Sequence, residues 1–194
     1  DKNPSAVGYW IYRKTPGAKS WTRIACVTTT YYTDKKVESG GAYIYTMRAY
    51  TGKILSHFNP DGWQIVHLST PVMKAPGLGY GAVTCFWNPV AGAEGYYVYR
   101  KVDDKGNWTY IGKTSATLFR DVNVTNGSKY TYTVKAYYGN STSSFDYNGK
   151  STKYLVAPTL TVSNNISGVY LSWNRVSGAD KYYITIVCGN ENHN

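Results

Sequence analysis

Acidic residues are scarce in this chain of 194 residues: 11 Asp and Glu stand against 21 Lys and Arg, a net charge of +10. The basic excess suits an anionic partner, yet no run of Lys or Arg exceeds two residues and the cations are scattered over strands and loops alike. Such scatter marks a solvated basic surface, so no nucleic-acid partner is expected. Histidine is scarcer still. His57, His67 and His193 share no i, i+4 spacing and have no Cys neighbour, which removes metal-ligand patterning. There is no Gly-rich phosphate loop between strand and helix and no nucleophile elbow, and the carboxylates are mainly turn residues such as Asp34, Asp103, Asp104 and Asp121. Asp103 and Asp104, beside Gly106, read as a hairpin turn and not as an acid–base pair. An enzyme is not expected, and no cofactor or metal is implied. The three cysteines, Cys26, Cys85 and Cys188, are an odd count spread along the chain, which argues against a disulfide scaffold; Cys85 reads as a small core residue. No apolar run is long enough to span a bilayer and no signal peptide stands at the start.

What the sequence has in abundance is aromatic side chains, 16% of residues and mostly Tyr, with 21 copies. It also repeats. Trp87-Asn88-Pro89-Val90-Ala91-Gly92-Ala93-Glu94-Gly95-Tyr96-Tyr97-Val98 recurs 86 residues later as Trp173-Asn174-Arg175-Val176-Ser177-Gly178-Ala179-Asp180-Lys181-Tyr182-Tyr183-Ile184. Gly8 to Lys14 matches Gly95 to Lys101 at a spacing of 87. Self-similarity at one fixed period signals an array of like structural units. Within each unit, polarity alternates along short segments: Val83, Cys85 and Trp87 against Thr84 and Phe86, then Tyr96, Val98 and Arg100 against Tyr97 and Tyr99. Period-two alternation broken by Gly, Pro and Asn turns predicts strands.

The spacing divides the chain into residues 1–69, a partial unit without its first two strands; 70–157, a complete unit; and 158–194, a partial unit of three strands. The predicted strands of the first unit are Tyr9 to Lys14, Trp21 to Val27, Tyr31 to Asp34, Tyr43 to Tyr50 and Trp63 to Leu68. Those of the second are Met73 to Tyr80, Gly81 to Trp87, Tyr96 to Val102, Trp108 to Lys113, Thr117 to Asp121, Tyr130 to Tyr138 and Lys150 to Val156. Tyr130, Tyr132, Val134 and Ala136 mark an inward face, as Tyr43, Tyr45, Met47 and Ala49 do earlier. The third unit has Leu160, Val162, Val169, Leu171, Trp173, Tyr182, Ile184 and Ile186 as its apolar positions and ends in a polar tail from Gly189. Seven short alternating strands in about ninety residues predict an all-β, two-sheet sandwich. A chain beginning and ending in mid-repeat is expected to be a piece of a longer protein. Its unpaired half-sandwiches are expected to favour self-association by strand exchange.

At Trp87, Asn88, Val90, Gly92, Ala93, Gly95, Tyr96, Val98, Tyr99 and Arg100, and again at Trp108, Ile111, Asp121, Tyr130, Tyr132, Val134, Ala136 and Tyr137, the chain resembles fibronectin type III-like repeats of large Gram-positive surface proteins, notably of gut Firmicutes. The resemblance implies tandem fibronectin type III-like sandwiches on an extracellular protein or bacterial cell surface. It further implies a non-catalytic, adhesin-like binding module whose partner is a host protein, such as an immunoglobulin or another secreted glycoprotein. The fold serves many roles, so a spacer repeat or a module for cell-wall or host polysaccharide is the alternative.

Two features are candidates for the binding surface. The outward alternation of the third strand and its neighbour gives Trp10, Tyr12 and Trp21 in the first unit and Tyr97, Tyr99 and Trp108 in the second, interleaved with Lys14 and Lys101. Rings with polar edges beside cations suit a protein or a sugar; equally, they can pair across strands under Lys stems. The long loops Thr51 to Gly62 and Tyr138 to Gly149 each carry one Phe, Phe58 and Phe145, either offered to a partner or folded back over the sandwich end.

Overall fold

A computed structural model describes residues 6–186. The fold is all-β, and the first two units are each arranged around a central strand whose alternating side chains divide into two faces.

In the first unit β1 (Gly8–Lys14) lies between β2 (Thr22–Val27) and β3 (Ala42–Thr51), all antiparallel, and the far edge of β3 takes β4 (Ile54–Leu55) at one end and β5 (Trp63–Val66) at the other. The second unit repeats this sheet with β8 (Gly95–Val102) between β9 (Lys105–Thr114) and β11 (Lys129–Tyr138), and with β12 (Ser141–Thr142) and β13 (Lys150–Lys153) on β11. Register is shared by the two. Tyr9 faces Ala49 and Ile11 faces Met47, as Tyr96 faces Ala136 and Val98 faces Val134. Even the β-bulge recurs, after Ile11 in one sheet and after Val98 in the other.

The second unit adds a second layer, the sheet β10 (Leu118–Asp121), β7 (Ala82–Phe86), β6 (Gly77–Gly79), with Met73 bridged to Trp87 beyond its end. Val83, Cys85, Trp87 and Met73 meet Tyr96, Val98, Tyr130, Tyr132, Val134 and Ala136 in one buried cluster. This strand order, three strands over a sheet built on β9-β8-β11, is a fibronectin type III-like sandwich. Trp87 is 1% exposed and packs edge-on against Tyr96, ring centroids 5.2 Å apart. Burial pushes the Cys85 thiol up to about 12, with Asp121 adding to it, so Cys85 serves as a core hydrophobe. β14 (Leu160–Asn165) and β15 (Gly168–Trp173) form a hairpin whose Leu160, Val162 and Val169 are exposed.

Four expectations change. Tyr31–Asp34 is not a strand: its counterpart β10 pairs with β7, and the first unit has no equivalent of β7 among the described residues to pair with. Tyr182 to Ile186 likewise forms no strand, since no described segment lies in ladder register beside it. The segment Met73 to Tyr80 contributes only the Met73 bridge and three residues of β6, because Pro76 cannot donate to a ladder. The two long loops each contain a short strand, β4 and β12, which the alternation did not mark. The polar tail, Cys188 and His193 lie outside the described residues.

One ionic network recurs at the sheet edge. Arg13 Nη1 donates to Asp34 Oδ2 (2.6 Å) and to the carbonyl of Lys36, while the Tyr45 hydroxyl donates to the same carboxylate oxygen. Arg100, Asp121, Asn123 and Tyr132 repeat this arrangement, with Arg100 at 2.7 Å from Asp121. Asp34 and Asp121 are therefore more than turn formers. Burial by itself would raise the Asp34 carboxyl, yet the Lys36 amide, the Tyr45 hydroxyl and Arg13 together hold it below the usual carboxylate range.

Candidate partner-binding surface

Strand pleating turns Tyr9, Ile11 and Arg13 to one face of β1 and Trp10, Tyr12 and Lys14 to the other. The same parity in β8 puts Tyr97, Tyr99 and Lys101 on the outer face of the sandwich. On β3 and β11 it puts Arg48 and Tyr50, or Lys135 and Tyr137, beside them, as Trp10↔Arg48 and Tyr97↔Lys135 pair directly.

The candidate rings and the candidate loop residues form one cluster per unit. Phe58 lies at 6.5 Å, nearly parallel, from Tyr12 and edge-on at 6.2 Å from Trp21; Phe145 lies at 5.9 Å, nearly parallel, from Tyr99 and edge-on at 5.9 Å from Trp108. The loop Phe thus folds back, onto the outer sheet face and not over the sandwich end. Each such ring pair contributes about 0.5–1.5 kcal/mol beyond area burial. Backbone bonds hold the loops in place: Thr46 and Thr133 hydroxyls donate to the carbonyls of Asn59 and Asp146, and Ser56 and Ser143 hydroxyls accept from the amides of Ala49 and Ala136.

Cations cap the rings. Lys14 Nζ stands 4.6 Å over Trp21 and Lys101 Nζ 4.6 Å over Trp108; Arg48 covers Phe58, Lys135 covers Phe145 and Arg23 covers Trp10. Among the described residues the ion pairs are Arg13–Asp34, Arg100–Asp121 and Lys129–Asp104, so none of these capping cations forms a direct ion pair, although Lys101 lies near enough to Asp104 to help hold its carboxyl below the usual range. The outer faces are basic and aromatic, with Arg48 Nε also donating to the Ser56 carbonyl. Trp21 and Trp108 are the innermost rings. Gly62 and Gly149, at φ +67° and +61°, pass so close that a Cβ would sit 2.8 and 3.0 Å from the indole edges, and the Trp108 Nε1–H is buried.

Trp10 and Tyr97 extend the cluster differently. Trp10 tilts against Tyr50 at 5.9 Å, whereas Tyr97 stacks on Tyr137 at 4.5 Å and meets Tyr110 edge-on. Tyr110 also meets Tyr99 edge-on and is 51% exposed, the most open ring of that ladder. Burial, with Tyr110 and Tyr97 adjacent, pushes the Tyr99 phenol up and keeps it a neutral donor. Tyr110, Tyr137, Tyr50, Arg23, Arg48 and Lys135 belong to this surface without having been candidates. For Lys135 and Tyr137, and by the repeat Arg48 and Tyr50, the signal was available in the residues alternating with the inward set; Tyr110 and Arg23 stand on β9 and β2 and follow only from the cross-strand pairs Tyr99↔Tyr110 and Tyr12↔Arg23.

The opposite face of the first sheet is a groove of about 560 Å³ lined by Tyr9, Ile11, Tyr43, Tyr45, Met47 and Ile65. It occupies the place that β6 and β7 fill in the second unit. No cluster of three or more His, Cys, Asp or Glu side chains suited to a metal occurs among the described residues, and no helix there is long and apolar enough to cross a membrane.

A tandem array of fibronectin type III-like repeats, one complete sandwich flanked by two partial units, is the class that this fold defines. No family model matches the chain. Over 99 residues, half of its length, it is 32% identical to an amylopullulanase of Thermoanaerobacterium saccharolyticum, of which the match covers 8%. It is 28% identical over 146 residues to exoglucanase B of Cellulomonas fimi, covering 66% of this chain and 12% of that enzyme. The two-domain fibronectin type III segment of chicken tenascin aligns with a TM-score of 0.44 and 18% identity, covering 75% of this chain and 83% of that segment. The chain thus spans a small part of the length of the curated relatives it matches.

Proposed function

We propose that this chain is a non-catalytic accessory module of a larger extracellular protein, and that it engages a partner through the outer, tyrosine-rich and basic sheet faces of its units. The observation that carries the reading is the recurrence of one cluster, Tyr12–Trp21–Phe58–Lys14 and Tyr99–Trp108–Phe145–Lys101, whose lysines cap a ring and form no direct ion pair among the described residues. Rigid rings give contact area at low entropic cost, and the lysines seated over them add positive charge at its edge. A host protein, such as an immunoglobulin or another secreted glycoprotein, is the expected partner, over an interface of about 800 Å² per side. Relatives that include an amylopullulanase and an exoglucanase support an accessory place beside polysaccharide-active domains and keep a glycan partner as the second reading. Capture from serum and mucus, run beside a polysaccharide array, separates the two. Tyr99→Ala with Lys101→Ala is expected to weaken capture by about tenfold or more, and binding unchanged by that pair would overturn the assignment of this face.

The open groove and the exposed Leu160, Val162 and Val169 support a further expectation, self-association in which β14–β15 of a second copy takes the place of β6–β7 on the first sheet. Light scattering across a concentration series should then show growing mass, abolished by Val169→Asp; a monomer at every concentration removes it.

A further inference from the structure

Inter-domain contacts within a chain are usually small and permissive, so relative motion is the ordinary expectation. The contacts between these units depart from it, because the same joint is built twice. At the first, Ser39 Oγ accepts from the amide of Ser69, where the first unit ends, and donates to the carbonyl of Ala91 in the second. At the second, the residue at the equivalent position is Asn126. Its Oδ1 accepts from the amide of Val156 and its Nδ2 donates to the carbonyl of Ser177. A hydroxyl and a carboxamide share little except that each both donates and accepts. Two different side chains at one position of the repeat therefore make the same pair of bonds.

The backbone repeats as well. Gly40 and Gly127 donate to the carbonyls of His67 and Tyr154, and the turn glycines Gly92 and Gly178 of the following unit are seated against them. A Cβ on Gly92 would lie 2.3 Å from the Gly40 Cα; one on Gly178 would lie 3.4 Å from the Gly127 Cα. The joints also carry bonds of their own. Val66 donates to Ser141 Oγ across the first, and Lys153 Nζ donates to the Gly178 carbonyl across the second. Leu68, the last apolar residue before the first joint, is 4% exposed and belongs to the buried cluster of the second unit.

We infer that one recurring joint couples each unit to the next, with residues 39 and 126 as its clamp and the seated glycine pair as its bearing, and that the array is a rod of fixed bend. The surface at the end of each unit accepts one kind of partner, the Val-x-Gly-Ala turn of a following repeat, as Val90 to Ala93 and Val176 to Ala179 supply it. This stands independently of whether the outer faces bind anything.

Spin labels on Lys19→Cys and Lys105→Cys, in the full chain with Cys26 and Cys188 changed to Ser, measure the joint directly by pulsed electron–electron distance spectroscopy. One narrow distance is expected. Ser39→Ala, which removes both clamp bonds, should broaden it by about twofold or more towards the behaviour of a flexible linker, while Ser39→Asn, which restores a donor and an acceptor, should stay narrow. Gly92→Ala should displace the mean distance. A single cooperative thermal melt, whatever its midpoint, shows that each variant is folded. A parent distribution as broad as that of Ser39→Ala, or a Ser39→Asn distribution as broad, overturns the inference.

Discussion

The first and second units place the same residues in the same register, yet one sheet face is open and the other is sealed. Met47 is 53% exposed and its counterpart Val134 1%. The difference is a layer: β6 and β7 lie over the second sheet, whereas the corresponding groove on the first is bordered by the non-strand segment from Thr29 to Val37 and has no described equivalent of β6 or β7. Its effect reaches beyond the core, to the sheet edge. Leu118–Asp121 is a strand because β7 offers it a ladder; Tyr31–Asp34, with the same aspartate and the same ionic network, is not. Strand formation at this position is thus decided by a partner and not by local sequence.

The largest expected effect lies at the seal itself. Trp87→Ala removes the largest fully buried side chain of the second unit and should cost about 3–5 kcal/mol, read as a lowered denaturant midpoint. A loss under about 1 kcal/mol would mean that the sandwich core is not centred there. A matched pair sharpens the comparison. Val134→Ala deletes two buried methyl groups and should cost about 2 kcal/mol. Met47→Ala, on the open face, should cost less than about 0.5 kcal/mol. Equal losses would show that the groove is covered in solution.

Much of this architecture is legible in the sequence because two periodicities coincide. Alternation along Tyr130 to Ala136 separates the faces, and the repeat spacing carries the assignment to Tyr43 to Ala49 without further information. The cluster was half legible. Phe58 and Phe145 were recognisable as paired loop residues and Trp21 and Trp108 as paired strand residues, but their convergence depends on how the loop folds back. That path is set by Thr46 and Thr133 bonding to loop carbonyls, contacts with no periodic signature. The Arg13–Asp34 and Arg100–Asp121 pairs escaped for a similar reason: 21 residues separate the partners, and an Asp that bonds its own backbone looks like a turn residue.

Those ion pairs give the next comparison. The Asp121 side chain is 3% exposed and that of Asp34 9%, with the Tyr132 hydroxyl buried against the former. Burial, with Asp121 adjacent, pushes the Tyr132 phenol up, so it stays a neutral donor. Asp121→Ala would strand the Arg100 guanidinium and that hydroxyl together and should cost about 3 kcal/mol, towards the low end for a buried pair because Arg100 keeps some water. Asp34→Ala should cost less, about 1–2 kcal/mol, since Arg13 is more exposed than Arg100 and recovers water more readily when its partner is lost. Reversal of that order in equilibrium unfolding would show that the ionic network outweighs the covering layer.

The smallest effect is one of pH. In an unfolded chain an aspartate titrates near about 3.9, and folding holds Asp34 lower through the Lys36 amide, the Tyr45 hydroxyl and Arg13 against the opposing effect of burial. A carboxyl with a depressed folded value contributes its full stabilisation above the unfolded value and loses it as pH falls through the folded one. Stability of the parent relative to Asp34→Asn should therefore be flat from neutrality down to about pH 5. It should shrink only below about pH 4, and the Asp34 carboxyl carbon should show an NMR midpoint beneath the ordinary range. A difference already shrinking near neutrality would assign the dependence to another group. Tyr45 is not that group: burial, with Asp34 beside it, pushes its phenol up to about 12 and leaves it protonated throughout.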